Sequence, residues 1–213
     1  MPRRRPASLS GLALLAVSDA TAAIPFLPIL RELHALFDNA SVVYAVVGGV
    51  AVARAGGFRT TGDIDVLVRG VEWRGLAEGA DKGGSFRFGP DWAEHRPSGV
   101  PIDTLFAGDD WDLPFELPDP TAVREWDEAA GAWFMRPVRL VELKAAVYNS
   151  KRREYGDATA ARDLADLRSL LQAKPELGAP AVVASLHPSV REIVAKTTEE
   201  ISRYRKKRPR PGV

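Results

Sequence analysis

Apolar positions along the chain change period several times, and each change marks an expected element. From Phe26, the residues Ile29, Leu30, Leu33, Leu36 and Phe37 recur at helical spacing, which predicts an amphipathic helix closed by Asp38-Asn39. His34 falls off that stripe and is expected at the surface. Val42 to Val47 is continuously apolar, as suits a strand covered on both faces. Gly48-Gly49 then turns the chain into a short helix that Gly56-Gly57 closes. A second strand follows from Asp63 to Val68.

Beyond it, Val71 to Lys82 predicts a helix on the sheet and Ser85 to Phe88 a short strand. Asp91 to Gly99 reads as a loop into another buried strand, Val100 to Phe106. Ala107 to Pro120 is too rich in Asp and Pro for regular structure throughout and is expected to cross between lobes. Trp133 to Val138 reads as a last extended segment. Two helices come next, Arg139 to Ser150 with Leu140, Leu143, Val147 and Tyr148 inward, and Ala158 to Gln172 with Leu164, Leu167, Leu170 and Leu171 inward. After a break at Lys174 to Ala181, Ser189-x-x-Glu192 reads as a capping box. It would open a final helix with Val190, Ile193, Val194, Thr197, Ile201 and Tyr204 on one stripe.

The chemistry sits on the second strand. Side chains alternate faces along a strand, so Asp63 and Asp65 share one side while Ile64 and Val66 point into a core. Two like charges so close favour protonation of one of them unless a cation lies between. Magnesium suits such a pair, because it takes carboxylate oxygens and keeps room for water and phosphates. Gly48-Gly49 lets backbone N–H groups approach a phosphate with no Cβ in the way. Asp103, alone on its strand, supplies a third carboxylate.

Composition narrows the alternatives. Apolar residues at 46% and charged residues at 27% belong to a globular protein. With 29 basic and 28 acidic side chains there is no global field to draw nucleic acid. The absence of cysteine excludes disulfides and thiolate sites, and His34, His95 and His187 are too scattered for zinc, which leaves oxygen ligands. Residues 1–25 are expected to be a leader outside the fold. Arg3-Arg4-Arg5, the apolar run Leu9 to Val17 and Ala20-Thr21-Ala22 have the outline of an export signal, but the run is short and Asp19 follows it closely. A disordered leader, an added helix and an early start codon are the other readings, and a cytoplasmic location is expected. No stretch is long enough to span a membrane.

The pattern of Gly48-Gly49, Asp63-Ile64-Asp65-Val66 and a later strand with Asp103 resembles the DNA polymerase β-like nucleotidyltransferase superfamily. Val46-Val47-Gly48-Gly49-Val50-Ala51-Val52, Arg59-x-Thr61 before the acids, Lys144, and Arg162-Asp163-Leu164-Ala165-Asp166-Leu167 are similar to the AbiEii-type branch, which includes type IV toxin–antitoxin toxins. The resemblance covers roughly residues 25 to 172. It implies an α/β (α+β) fold, with a small mixed-sheet nucleotidyltransferase core over 26–120, a mainly helical lobe over 121–204, and a basic tail over 205–213.

It also implies an enzyme that moves a nucleoside monophosphate from a triphosphate such as ATP to a hydroxyl. Asp63, Asp65 and Asp103 would hold two Mg²⁺ ions, with Mn²⁺ as an alternative. Gly48 and Gly49 would cradle the triphosphate, and Lys144 would face it with Asp163 nearby. Arg59 and Thr61 either contact phosphate or the carboxylates or form an ordinary strand edge. Lys151-Arg152-Arg153 either serves triphosphate or RNA or complements the helix C-terminus. The implied acceptor is RNA, tRNA included, or a protein, with a cognate antitoxin as a further partner. A non-catalytic nucleotide- or antitoxin-binding protein and a small-molecule (antibiotic) nucleotidyltransferase are the alternatives.

Overall fold

The computed structural model describes residues 26–58, 61–79 and 83–207. The leader, Arg59 and the last residues of the basic tail lie outside them. Seven strands form one mixed sheet, ordered β3-β4-β5-β2-β1-β7-β6. These are β1 (Tyr44–Val47), β2 (Ile64–Val68), β3 (Phe86–Phe88), β4 (Trp92–His95), β5 (Val100–Phe106), β6 (Arg124–Asp127) and β7 (Ala132–Met135). β2 runs parallel to β5 and β1 parallel to β7, and the other neighbours are antiparallel. The helices are α1 (Phe26–Asn39), α2 (Gly48–Arg54), α3 (Gly70–Gly79), α4 (Pro120–Val123), α5 (Pro137–Tyr155), α6 (Asp157–Ala173), α7 (Pro180–Ser185) and α8 (Pro188–Lys207).

The α1 stripe buries Ile29, Leu30, Leu33 and Phe37, and the central strands bury Val46, Ile64, Val66 and Ile102 completely. Trp73 of α3 is buried beside Phe37 and Phe88, and its indole N–H donates to the Gly89 carbonyl at 3.2 Å. The mixed-sheet core with a mostly helical C-terminal part is the expected architecture. The sheet takes its last two strands, β6 and β7, from beyond residue 120, so uninterrupted helix begins only at Pro137. No described helix is long and apolar enough to cross a membrane.

Five expectations need correction. The expected loop 91–99 contains β4, paired on both sides. Its Ala93 and His95 are buried and its Trp92 is exposed, a period-2 pattern that the surrounding charges and Pro97 mask. His95 is held by Ser98 Oγ at 2.7 Å and Glu32 at 3.3 Å. His34 is half-buried, its ring 4.9 Å from Trp126 and 6.1 Å from Tyr44, because β6 brings Trp126 over it. Ser189 lies inside α8, after Pro188, and its Oγ bonds His187 Nδ1 at 2.7 Å, so it does not cap the helix. Tyr204 leaves the buried stripe and is 76% exposed, and helix continues through Arg205 to Lys207, where a tail was expected.

Candidate active site

The acids lie on one row across the sheet. Val47 of β1 pairs with Asp65 of β2, Asp65 with Asp103 of β5, and Asp103 with Trp92 of β4. Directly opposed residues project to the same face, so Asp65, Asp103 and Trp92 share one surface. On β5 that surface is open: Pro101 and Asp103 are exposed, while Ile102 and Thr104 behind them are buried. Asp63 immediately precedes β2, and Thr61 Oγ1 donates a hydrogen bond to its carboxylate.

The Gly48 turn is shaped around Asp65. Gly48 has φ +62°, and a Cβ there would fall 1.7 Å from Asp65 Oδ2, so only glycine leaves room for the carboxylate. The Gly49 N–H donates to the same carboxylate. The backbone expected to meet a phosphate therefore also seats an acid. Burial pushes the Asp65 carboxyl up to about 6; the charges of Asp63 and Asp103 act in the same direction, and Lys144 opposes them.

Lys144 is buried on α5, its Nζ 2.8 Å from Asp166 and 3.5 Å from Asp163, both buried on α6. Lys151 Nζ is 2.7 Å from the other Asp163 oxygen. Asp166, three residues after Asp163 on the same helix, is the nearer partner of Lys144. Of the expected cationic run, Lys151 is engaged with Asp163 and Arg152 with Asp157 at 2.8 Å. Arg153 is exposed.

Asp63, Asp65 and Asp103 thus share one end of the sheet, with Lys144 close enough to act on Asp65. Among the described residues, no three His, Asp or Glu side chains are gathered into a ready ligand set. The three carboxylates suit a divalent cation in donor type and in the like-charge repulsion that helps raise Asp65. A cleft of about 150 Å³ lies elsewhere, lined in part by Arg54, Glu125, Asp127 and Lys174, and includes none of the acids.

No family model and no curated protein matches the sequence. Among solved structures, an antigenic nucleotidyltransferase-like protein from Paracoccidioides brasiliensis is similar over 91% of this chain and 94% of its own, at 17% identity and a TM-score of 0.58. The antibiotic-resistance factor ANT(2'')-Ia in solution aligns with 86% of this chain and 98% of its own, at 15% identity and a TM-score of 0.49. Its crystal structure with adenylyl-2''-tobramycin aligns over 84% and 99%, at 15% identity and a TM-score of 0.47. The AbiEii-type branch does not appear in these likenesses. What the Paracoccidioides likeness shows is the fold: this chain has the fold of a nucleotidyltransferase-like protein.

Proposed function

We propose that the protein transfers a nucleoside monophosphate from a nucleoside triphosphate to a hydroxyl and releases pyrophosphate. The observation that carries this reading is Asp65, seated in the Gly48-Gly49 turn and burdened by the charges of Asp63 and Asp103. Carboxylates on adjacent strands, beside a glycine turn and within electrostatic reach of a buried lysine, are the parts phosphoryl transfer uses, since that chemistry is mostly positioning and charge stabilisation. Asp63, Asp65 and Asp103 would hold Mg²⁺, or Mn²⁺, which when bound supplies charge neutralisation at the phosphates and at the acceptor oxygen.

The chain's own groups account for the remainder. Lys144, steadied by Asp166 and Asp163, presents its charge toward the acid row and the triphosphate beside it. The Gly48-Gly49 turn seats the Asp65 carboxylate at the end of the acid row that the triphosphate would meet. The acceptor oxygen bonds to the α-phosphorus as the bond from that phosphorus to the bridging oxygen breaks. Pyrophosphate leaves with the electron pair, and the hydroxyl proton passes to a carboxylate of the row. An RNA or protein acceptor, a toxin role and a cognate antitoxin rest on the AbiEii-type resemblance.

The test is incubation with each α-³²P-labelled triphosphate, Mg²⁺ or Mn²⁺, and separated RNA, protein and small-molecule fractions of a bacterial extract. Label should enter one fraction with the wild type and none with Asp65→Asn. No label in any fraction, with all four triphosphates and both metals, would contradict the reading and favour a non-catalytic nucleotide-binding protein.

A further inference from the structure

In-line transfer puts the attacking and leaving oxygens on opposite sides of the reacting phosphorus. Across the sheet, the row Val47, Asp65, Asp103, Trp92 has the Gly48-Gly49 turn at one end and an exposed indole at the other. If pyrophosphate leaves toward the turn and Lys144, the acceptor hydroxyl arrives over β5 and β4. Trp92 is the large side chain standing there, with its β4 strand one spacing from Asp103 and two from Asp65, about 5 and 10 Å.

Several features set Trp92 apart from an incidental surface aromatic. Its residue is 36% exposed on the acid face, whereas Trp73 nearby is wholly buried. Its ring lies against Gly89, where a Cβ would sit 2.3 Å from the indole nitrogen, so the glycine makes room for the ring. The Gly89 N–H donates to the Trp92 carbonyl at 2.7 Å, and the Arg87 guanidinium stands 5.2 Å from the ring centroid. Arg87 is in turn fixed by Glu94 at 3.0 Å. The indole is therefore braced by its own hairpin while part of it stays open to solvent beside Asp103.

We infer that Trp92 is the acceptor platform: the flat face of a hydroxyl-bearing ring without phosphate stacks on it and brings the hydroxyl to the acid row. This rests on the transferase reading above. A ring face gains stacking energy on an indole. Beyond the acids that would hold the metal, this wing offers a phosphate chain the Glu94 carboxylate and an Arg87 already engaged by it, so a ring without phosphate is the favoured occupant. Trp92 acts here as a specificity-determining residue.

The test reads the indole N–H resonance of Trp92, assigned as the signal missing from Trp92→Phe, in the full chain. Probes are methyl β-glucoside, uridine, the dinucleotide UpU, glycerol and Mg-ATP. The signal should shift in a saturable way with glucoside or uridine and not with glycerol, and UpU should bind more weakly than uridine. Which of glucoside and uridine binds tells a free sugar from a nucleoside. Trp92→Ala should weaken ring binding, followed on the ligand's own signals, about tenfold or more. A shift with Mg-ATP alone would make Trp92 a base platform for the nucleotide and overturn the inference. Tighter binding of UpU than uridine, or no shift with either ring, would also overturn it. A ring-dependent shift in a protein that moves no label in the transfer assay would sink the transferase reading instead.

Discussion

Two groups of charged side chains lie near one another in this protein and are built on opposite principles. Lys144, Lys151, Asp163 and Asp166 join α5 to α6 with two cations and two acids, and each lysine lies within 3 Å of a carboxylate oxygen. Asp63, Asp65 and Asp103 gather like charges on the sheet, relieved in part by Thr61, the Gly49 N–H and the field of Lys144. Burying charge is tolerable when it is paired and hydrogen-bonded, and otherwise the group shifts its pKa. The α5–α6 set is complete within the chain and reads as a clamp that also orients Lys144. The sheet set places like charges against one another, which helps raise the Asp65 carboxyl, and a divalent cation would relieve that repulsion.

That contrast breaks most visibly on mutation. Asp65→Asn should lower nucleotide transfer roughly 10²- to 10³-fold or more, by analogy with loss of a preorganised charge-stabilising group. Its melting temperature in EDTA should be equal to or above the wild type's, since like-charge repulsion is relieved. Lys144→Met should do the reverse to stability, costing about 3–5 kcal/mol in urea unfolding because it leaves Asp166 and Asp163 buried with a missing cation. If both substitutions left stability unchanged, the two groups would not differ as described.

A pH series sharpens the same comparison. The folded-state pKa of Asp65, about 6, lies above its ordinary value of 3.8, so the folded protein binds the extra proton between those values. Its contribution to metal-free stability is therefore present at the acid end and lost as pH rises through about 6, by up to about 3 kcal/mol. Urea unfolding in EDTA should show the wild type losing stability relative to Asp65→Asn between pH 4 and 7. A flat difference would mean that Asp65 is not strained. The smallest effect is expected at the rim, where Asp119 caps α4 by accepting from the Thr121 N–H and pairs with the half-buried Arg69. Asp119→Ala should cost about 1 kcal/mol of stability or less and leave nucleotide binding intact.

What the sequence disclosed follows from the range of the interactions involved. The α1 stripe and the strand bearing Asp65 were legible because each is a local periodicity, although the strand opens at Ile64, one residue after Asp63. So was the α5–α6 pair, although α5 runs past Ser150 to Tyr155. The strand β4 was not, since its four residues alternate among charges and its pairing partners lie elsewhere in the chain. For the same reason β6, a polar edge strand at Arg124–Asp127, went unread, and with it the aromatic cover on His34. At the site, Gly48 and Asp65 were each legible as residues of interest. Their contact was not, because it depends on the antiparallel register that sets Val47 against Asp65. The place of Trp92 beside Asp103 was not legible either, because it too depends on strand register.

The measurement that tests the acid row most directly is calorimetric titration of the protein with ATP, once with Mg²⁺ and once with EDTA. The account predicts binding with Mg²⁺, none in EDTA, and loss of the Mg²⁺-dependent binding in Asp65→Asn. Equal affinity with and without the metal, unchanged by the substitution, would contradict it.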